Sequence, residues 1–268
     1  MPFTLAHPAA VLPLPRVMGR WCVFSALVVG SMAPDFAYFA PLGVSGEQTH
    51  SLAGLLWFCI PAGLTALLVF HGLLKQPLIS LFPEWMQASL APYTDSRSPR
   101  GGWRWLPIVI CLAIGALTHI VWDAFTHRGA PAVEMLPVLN ATVTSAGGYE
   151  LRVYKILQHG STLLGMAAVA LCAWGWLRRN PGTPSTLPVR WSTRQRAFIS
   201  LALVLLPCTI GSAIAFERVG WPDDFDSLRS LAGAAVTSGM GALALVLVAF
   251  GAMATWIERA HAARESAR

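Results

Sequence analysis

The chain has 268 residues, 55% of them hydrophobic and only 12% charged, and its 19 Lys and Arg against 13 Asp and Glu leave a net charge of +6. Ordinary soluble domains carry about twice that share of charge, so the composition excludes a single water-soluble core. The basic residues sit in connecting stretches rather than along one face, which excludes a nucleic-acid footprint and leaves an all-α, polytopic membrane helix bundle of six to seven segments.

No charged n-region, short apolar core and cleavage site open the chain, so no removable leader is expected. Residues 7–33 admit two readings. Pro8, Pro13 and Pro15 suit a helix's first turn and break its interior, so 7–14 can dip inward as a short half-helix, turn near Pro15–Arg20 and return as 21–33. Such a re-entrant hairpin is allowed where protein buries it, and it brings His7 beside Asp35. A single crossing over 17–33 would instead put His7 on the opposite side.

Apolar runs near the ~20 residues that cross a bilayer follow at Leu52–Leu74, Leu106–Phe125, Gly160–Leu177, Phe198–Phe216 and Leu231–Ile257, with a shorter one at Trp21–Ala33. The whole chain reads as one integral membrane domain, with 1–165 holding the polar residues of interest and 166–268 adding further helices. Stretches 75–105, 178–197 and the tail after Ile257 are rich in Arg and should be cytoplasmic, while 34–51, 127–159 and 217–229 should face outward. Pro/Gly/Ser-rich 92–102 and 180–188 read as exposed connectors. The five cysteines (22, 59, 111, 172 and 208) are scattered singly and read as small buried hydrophobes.

The densest chemical signal is GALTHIVWDAFTHRG. His119, Asp123 and His127 are spaced by four, so one helix face carries three metal-ligand types at the end of a greasy span. Ionisable groups in such a place are costly and mark function by default. Asp35, His50, His159 and, in the hairpin reading, His7 are expected at the same outer face. Singly, Asp35 suits a turn after Pro34, His50 a helix start and His159 a helix end; as a set they suit a divalent-metal centre. Mixed His and Asp ligands fit a hydrolytic centre, with a carboxylate such as Asp123 bridging two ions. Arg128, Arg152 and Lys155 are candidate phosphate contacts, and no G-x-S-x-G elbow supports a serine nucleophile.

The segments MPFTLAHPAAVLPL, ALVVGSMAPDFAYF, THSLAG, GALTHIVWDAFTHRGA and YKILQHGST, in this order, resemble the bacterial integral-membrane family called domain of unknown function 4184, over most of residues 1–165. Their ligand order also resembles inner-membrane metal-dependent hydrolases and zinc-dependent phospholipase C. The latter resemblance implies that Asp35, His50 and His119 hold one zinc, that Asp123 with His127 and His159 serves a second, and that His7 helps with a third. Two departures, Met-Pro in place of an N-terminal Trp and Leu163 in place of a Glu, reduce the expectation to one or two ions, probed best as zinc. The combined expectation is a membrane-embedded hydrolase in the bacterial plasma membrane. It would cleave a phosphoester of a lipid or lipid-linked molecule at the outer face, with Asp123 and Asp35 as the catalytic carboxylates and membrane lipids as partners. The alternatives are a transporter, which would need polar residues along several spans, and a scaffold in which the His/Asp cluster only knits helices together.

Overall fold

The computed structural model describes residues 3–40, 42–94, 105–146, 149–182 and 191–266. The connectors expected around 95–104 and 183–190, with Arg97, Arg100, Trp103, Arg104 and Arg190, lie outside the described residues. Among the described residues, five helices are long and apolar enough to cross a membrane, over Leu52–Leu81, Trp105–Met135, Val153–Arg179, Thr193–Val219 and Phe225–Ala260. The chain is an all-α polytopic membrane protein.

In chain order, a 3-10 segment over Thr4–Val11 leads to α1 (Leu14–Met18), a turn at Gly19–Trp21, and α2 (Phe24–Gly30). Gly19 takes a positive φ of 50° at the reversal, a conformation other residues resist. The short α3 (Gly46–Thr49) precedes α4 (Leu52–Leu81), which contains π-helical turns at Leu55–Cys59 and Phe70–Leu74. Then come α5 (Glu84–Leu90), α6 (Trp105–Thr126), α7 (Pro131–Met135), α8 (Pro137–Asn140), strands β1 (Thr142–Ala146) and β2 (Tyr149–Arg152), and the long helices α9 (Val153–Arg179), α10 (Thr193–Val219) and α11 (Phe225–Ser266).

The segment expected at Trp21–Ala33 is one arm of the hairpin. With seven helical residues, α2 rises only about 10 Å, a third of the ~30 Å hydrocarbon layer. The two arms pack on each other, with Val11 in one buried cluster with Ala26 and Leu27, and they bring Thr4 back to Asp35. Antiparallel β1 and β2 were not anticipated, although the β-branched Thr142, Val143 and Thr144 carry a strand propensity. Cys59 and Cys111 are buried as expected, but Cys172 and Cys208 are exposed. On a membrane span the outer face meets lipid, so apolarity there does not imply burial in protein.

The chain forms two compact units. The first comprises Met1–Phe36, Val44–Leu67 and Arg100–Trp176, the second Ala37–Gly43, Leu68–Pro99 and Leu177–Arg268. In the second, α10 and α11 pair closely at Gly211 and Gly239, the small-residue contact that lets membrane helices approach. In the first, α2 and α6 meet through reciprocal glycines. A Cβ on Gly30 would overlap the backbone of Leu112, and one on Gly115 the backbone of Leu27. Leu27 and Leu112 pack beside this crossing, almost fully buried. One turn beyond Gly115 lies His119.

Candidate metal centre

The glycine crossing decides the orientation of His119. Because α2 and α6 touch backbone to backbone at Gly30 and Gly115, the carbonyl of Ser31 comes within 2.7 Å of His119 Nδ1. A carbonyl only accepts, so Nδ1 carries the hydrogen and Nε2 presents its lone pair. His119 is fully buried.

His50 is held in the same way by different means. Ser45 and Gln48 form a reciprocal cap on α3, Ser51 caps the start of α4, and His50 between them donates from Nδ1 to Gly46 O at 2.7 Å. Thr49 donates to Pro34 O at 2.8 Å and ties this corner to the segment that carries Asp35. Asp35 is itself buried, and its Oδ2 accepts from Thr4 at 2.6 Å.

The remaining nitrogen and carboxylate atoms converge. His50 Nε2 and His119 Nε2 are 3.2 Å apart; each is 3.5 Å from Asp35 Oδ1, and they lie 3.5 and 3.4 Å from Asp123 Oδ2. One ligand atom from each of these four residues lies within 4.8 Å of those of the other three. Metal–ligand bonds of ~2.0–2.1 Å arranged as a tetrahedron have edges of about 3.3–3.4 Å, so the spacing suits an ion at the centre. In their neutral forms both rings turn lone pairs toward carboxylate oxygens, an electron-rich cluster that a cation must neutralise. Burial disfavours charge on His50, yet the carboxylates of Asp123 and Asp35 outweigh it and raise its pKa to about 9. Burial likewise opposes charge on Asp35, and its contacts with His119 and His50 overcome this and hold its carboxyl well below the ordinary range. A proton can fill the role of the cation; a buried Asp/His/His/Asp group of this kind can also hold a metal ion.

Asp123 faces two ways. Its Oδ1 lies 3.6 Å from His7 Nε2 and 3.5 Å from His127 Nδ1. Asp123 Oδ1, Asp35 Oδ1 and His7 Nε2 are all buried without a hydrogen bond, a state that calls for an explanation such as an ion. The His7 ring lies flat on that of His119, with centroids 3.6 Å apart. Burial and the neighbouring His119 push the His7 pKa down to about 4, so it faces Asp123 as a neutral imidazole.

His127 is partly exposed at the rim, and the buried Gln158 approaches its Nε2 at 3.3 Å. His159, the expected partner at this position, is exposed on α9. Gln158 was missed because a glutamine one residue before a histidine gives no signal until the helix phase is known. Thr4 and the Ser31 carbonyl were missed for the same reason. Of the candidate phosphate contacts, Arg152 is engaged by Glu150 at 2.6 Å and Asn140 at 2.6 Å, and Arg128 is exposed.

A family profile described as domain of unknown function (DUF4184) matches residues 1–252. No curated protein and no solved structure matches the chain.

Proposed function

Because the chain belongs to the domain of unknown function (DUF4184) family, whose description names no activity, function is read from the site, and we propose a membrane-embedded, zinc-dependent hydrolase of a phosphoester in a lipid or lipid-linked molecule. The observation that carries this reading is the convergence of one ligand atom each from Asp35, His50, His119 and Asp123 within 4.8 Å of one another. Two imidazoles and two carboxylates on one divalent ion form a neutral set, and His with Asp suits zinc. These four residues would hold the first ion. His7 Nε2 and Asp123 Oδ1 would offer a second position, with His127 at its rim. That position has fewer protein ligands and so leaves room for water and substrate.

Bound there, a zinc ion would supply an activated water near neutral pH and would stabilise charge on a phosphoryl oxygen. The protein's own part is to fix the ligands. The Ser31 and Gly46 carbonyls set the tautomers of His119 and His50, and outer partners of this kind typically change metal affinity 10–100-fold. Asp35 is oriented by Thr4, and Gln158 holds His127 at the rim.

The outward placement of the centre is supported by the distribution of Arg. The loops on the centre's side (34–51 and 127–159) are poor in basic residues or balanced by acids, whereas 178–197 carries Arg178, Arg179, Arg190, Arg194 and Arg196. That count supports an outer-face position for the centre; a bacterial plasma membrane is what the family resemblance adds to this reading.

A second reading has its own support. Four protein ligands make a closed set, typical of structural ions, so the centre would only lock α2, α4 and α6 together. The two are separated with the purified full chain, stripped by chelator and reloaded with zinc. Hydrolysis of bis(p-nitrophenyl) phosphate and of phosphatidylglycerol vesicles should return with zinc and be lost in His7→Ala, which keeps the first four ligands. A reloaded protein with full zinc content that cleaves neither probe refutes the hydrolase reading in favour of the structural one.

A further inference from the structure

A groove of about 560 Å3 runs beside the N-terminal segment. One wall is built from Ala6, His7, Ala9 and Ala10, and the other from the face of α9 that carries Leu157, Gly160, Ser161, Leu164, Gly165 and Ala168. Those positions recur at spacings of three and four, so they form one helix stripe. Small residues keep the floor open. At Gly165 the two walls meet, and a Cβ there would sit 2.9 Å from the Ala6 carbonyl oxygen. Trp122 also lines the groove, and its indole N–H is spent on Ser161 Oγ at 3.2 Å, so the walls offer little for a polar ligand to bond.

The length of the groove is informative. From Leu157 to Ala168 the helix rises about 16 Å, close to half of the ~30 Å hydrocarbon thickness of a bilayer and hence one leaflet. α9 is an apolar membrane span, and Leu164 on the groove's rim is 74% exposed. His7 belongs to both features: it lines the groove, and its Nε2 faces Asp123 Oδ1 at 3.6 Å. The groove therefore reaches the metal centre. An apolar trough of one leaflet's depth, open to the hydrocarbon layer and adjoining buried carboxylates and imidazoles, matches a linear chain that carries a polar head.

We infer that this groove seats one acyl chain of a membrane lipid and places the attached headgroup at the His7–Asp123 side of the centre. This deepens the hydrolase reading and rests on it for the substrate's identity: the phosphoester cleaved belongs to an acyl lipid rather than to a water-soluble metabolite.

The test reads chain binding without relying on hydrolysis. The full chain is placed in vesicles of phosphatidylglycerol bearing a diazirine midway along one acyl chain, irradiated, and its adducts mapped by mass spectrometry. Adducts should concentrate on Ala9, Ala10 and Ala168 over Leu163 and Leu171, which are 73% and 70% exposed on the same helix and sample bulk lipid. Ala168→Trp fills the groove and should lower labelling of Ala9 and Ala10 about tenfold, the worth of burying two methylenes, with bound metal unchanged. Ala10→Leu repeats the test from the opposite wall, reading labelling at Ala9. Labelling of Ala9 and Ala10 no greater than at Leu163 and Leu171, or unaltered by both substitutions, overturns the inference. Cleavage of bis(p-nitrophenyl) phosphate with an unlabelled groove would overturn it while sparing the hydrolase reading; a labelled groove in a protein that cleaves nothing would do the reverse.

Discussion

Asp123→Asn isolates the carboxylate that faces both sets of neighbours, since it preserves shape and removes one negative charge. Asp123 Oδ2 is one corner of the four-ligand set, 3.4 Å from His119 Nε2 and 3.5 Å from His50 Nε2, and its Oδ1 faces His7 and His127. An elementary charge 4 Å from another is worth about 4 kcal/mol at an effective dielectric of ~20, and a bound ion is nearer than that. The neutral amide should therefore weaken binding of the first ion on the order of a thousandfold and abolish the second position. Elemental analysis of chelator-washed protein gives the stoichiometry, and competition with a chromophoric chelator of known affinity gives the constant. Unchanged helical circular dichroism and a monodisperse elution profile would show that insertion and fold survive. A variant that retains a full equivalent of metal, with affinity within about tenfold of the parent, refutes the assignment of Asp123 to the ion.

Gly115→Ala tests whether the glycine crossing builds the centre: the added methyl overlaps the Leu27 backbone, so the expected cost is about 1–3 kcal/mol together with weaker metal binding, although no ligand is altered. Gly233→Ala, which meets nothing within 4 Å, should be neutral or slightly stabilising; equal melting temperatures for the two variants would remove the crossing from the account. The raised pKa of His50, about 9, means that its ring carries a proton at a pH of about 7.5 that an ion must displace. Calorimetric titration with zinc in buffers of different ionisation enthalpy should register at least one proton released, with affinity climbing as pH rises toward about 9; buffer-independent heats would contradict this.

The long helices were legible because their signal is a property of runs. An apolar stretch of sufficient length satisfies its backbone in lipid as a helix, so the run Leu106–Phe125 translates into α6 with a one-residue shift at each end, and the run from Leu52 into α4, which continues seven residues past Leu74. The pairing of His119 with Asp123 was legible as well, because residues four apart share a helix face whatever the helix packs against. The helix phase, by contrast, was not. It is set by contacts between elements distant in sequence: Gly30 against Gly115 turns His119 to the Ser31 carbonyl, and Thr49 holding the Pro34 carbonyl brings His50 to Asp35.

Sequence by itself determined that this chain lives in a membrane, which residues are able to ligate an ion, and that several gather at one end of the spans, since composition, run length and helical spacing are local. Tertiary structure alone decided the membership and the division of labour. The hairpin at Gly19 brings His7 onto His119 and Asp123, the start of α9 turns Gln158 toward the centre and leaves His159 exposed, and the carboxylate of Asp123 is split between two sets of neighbours. The physical reason is reach. A ligand atom must lie within a few ångströms of the others, and over separations of 69 to 116 residues, as from His50 to His119 or His7 to Asp123, only packing can set such a distance.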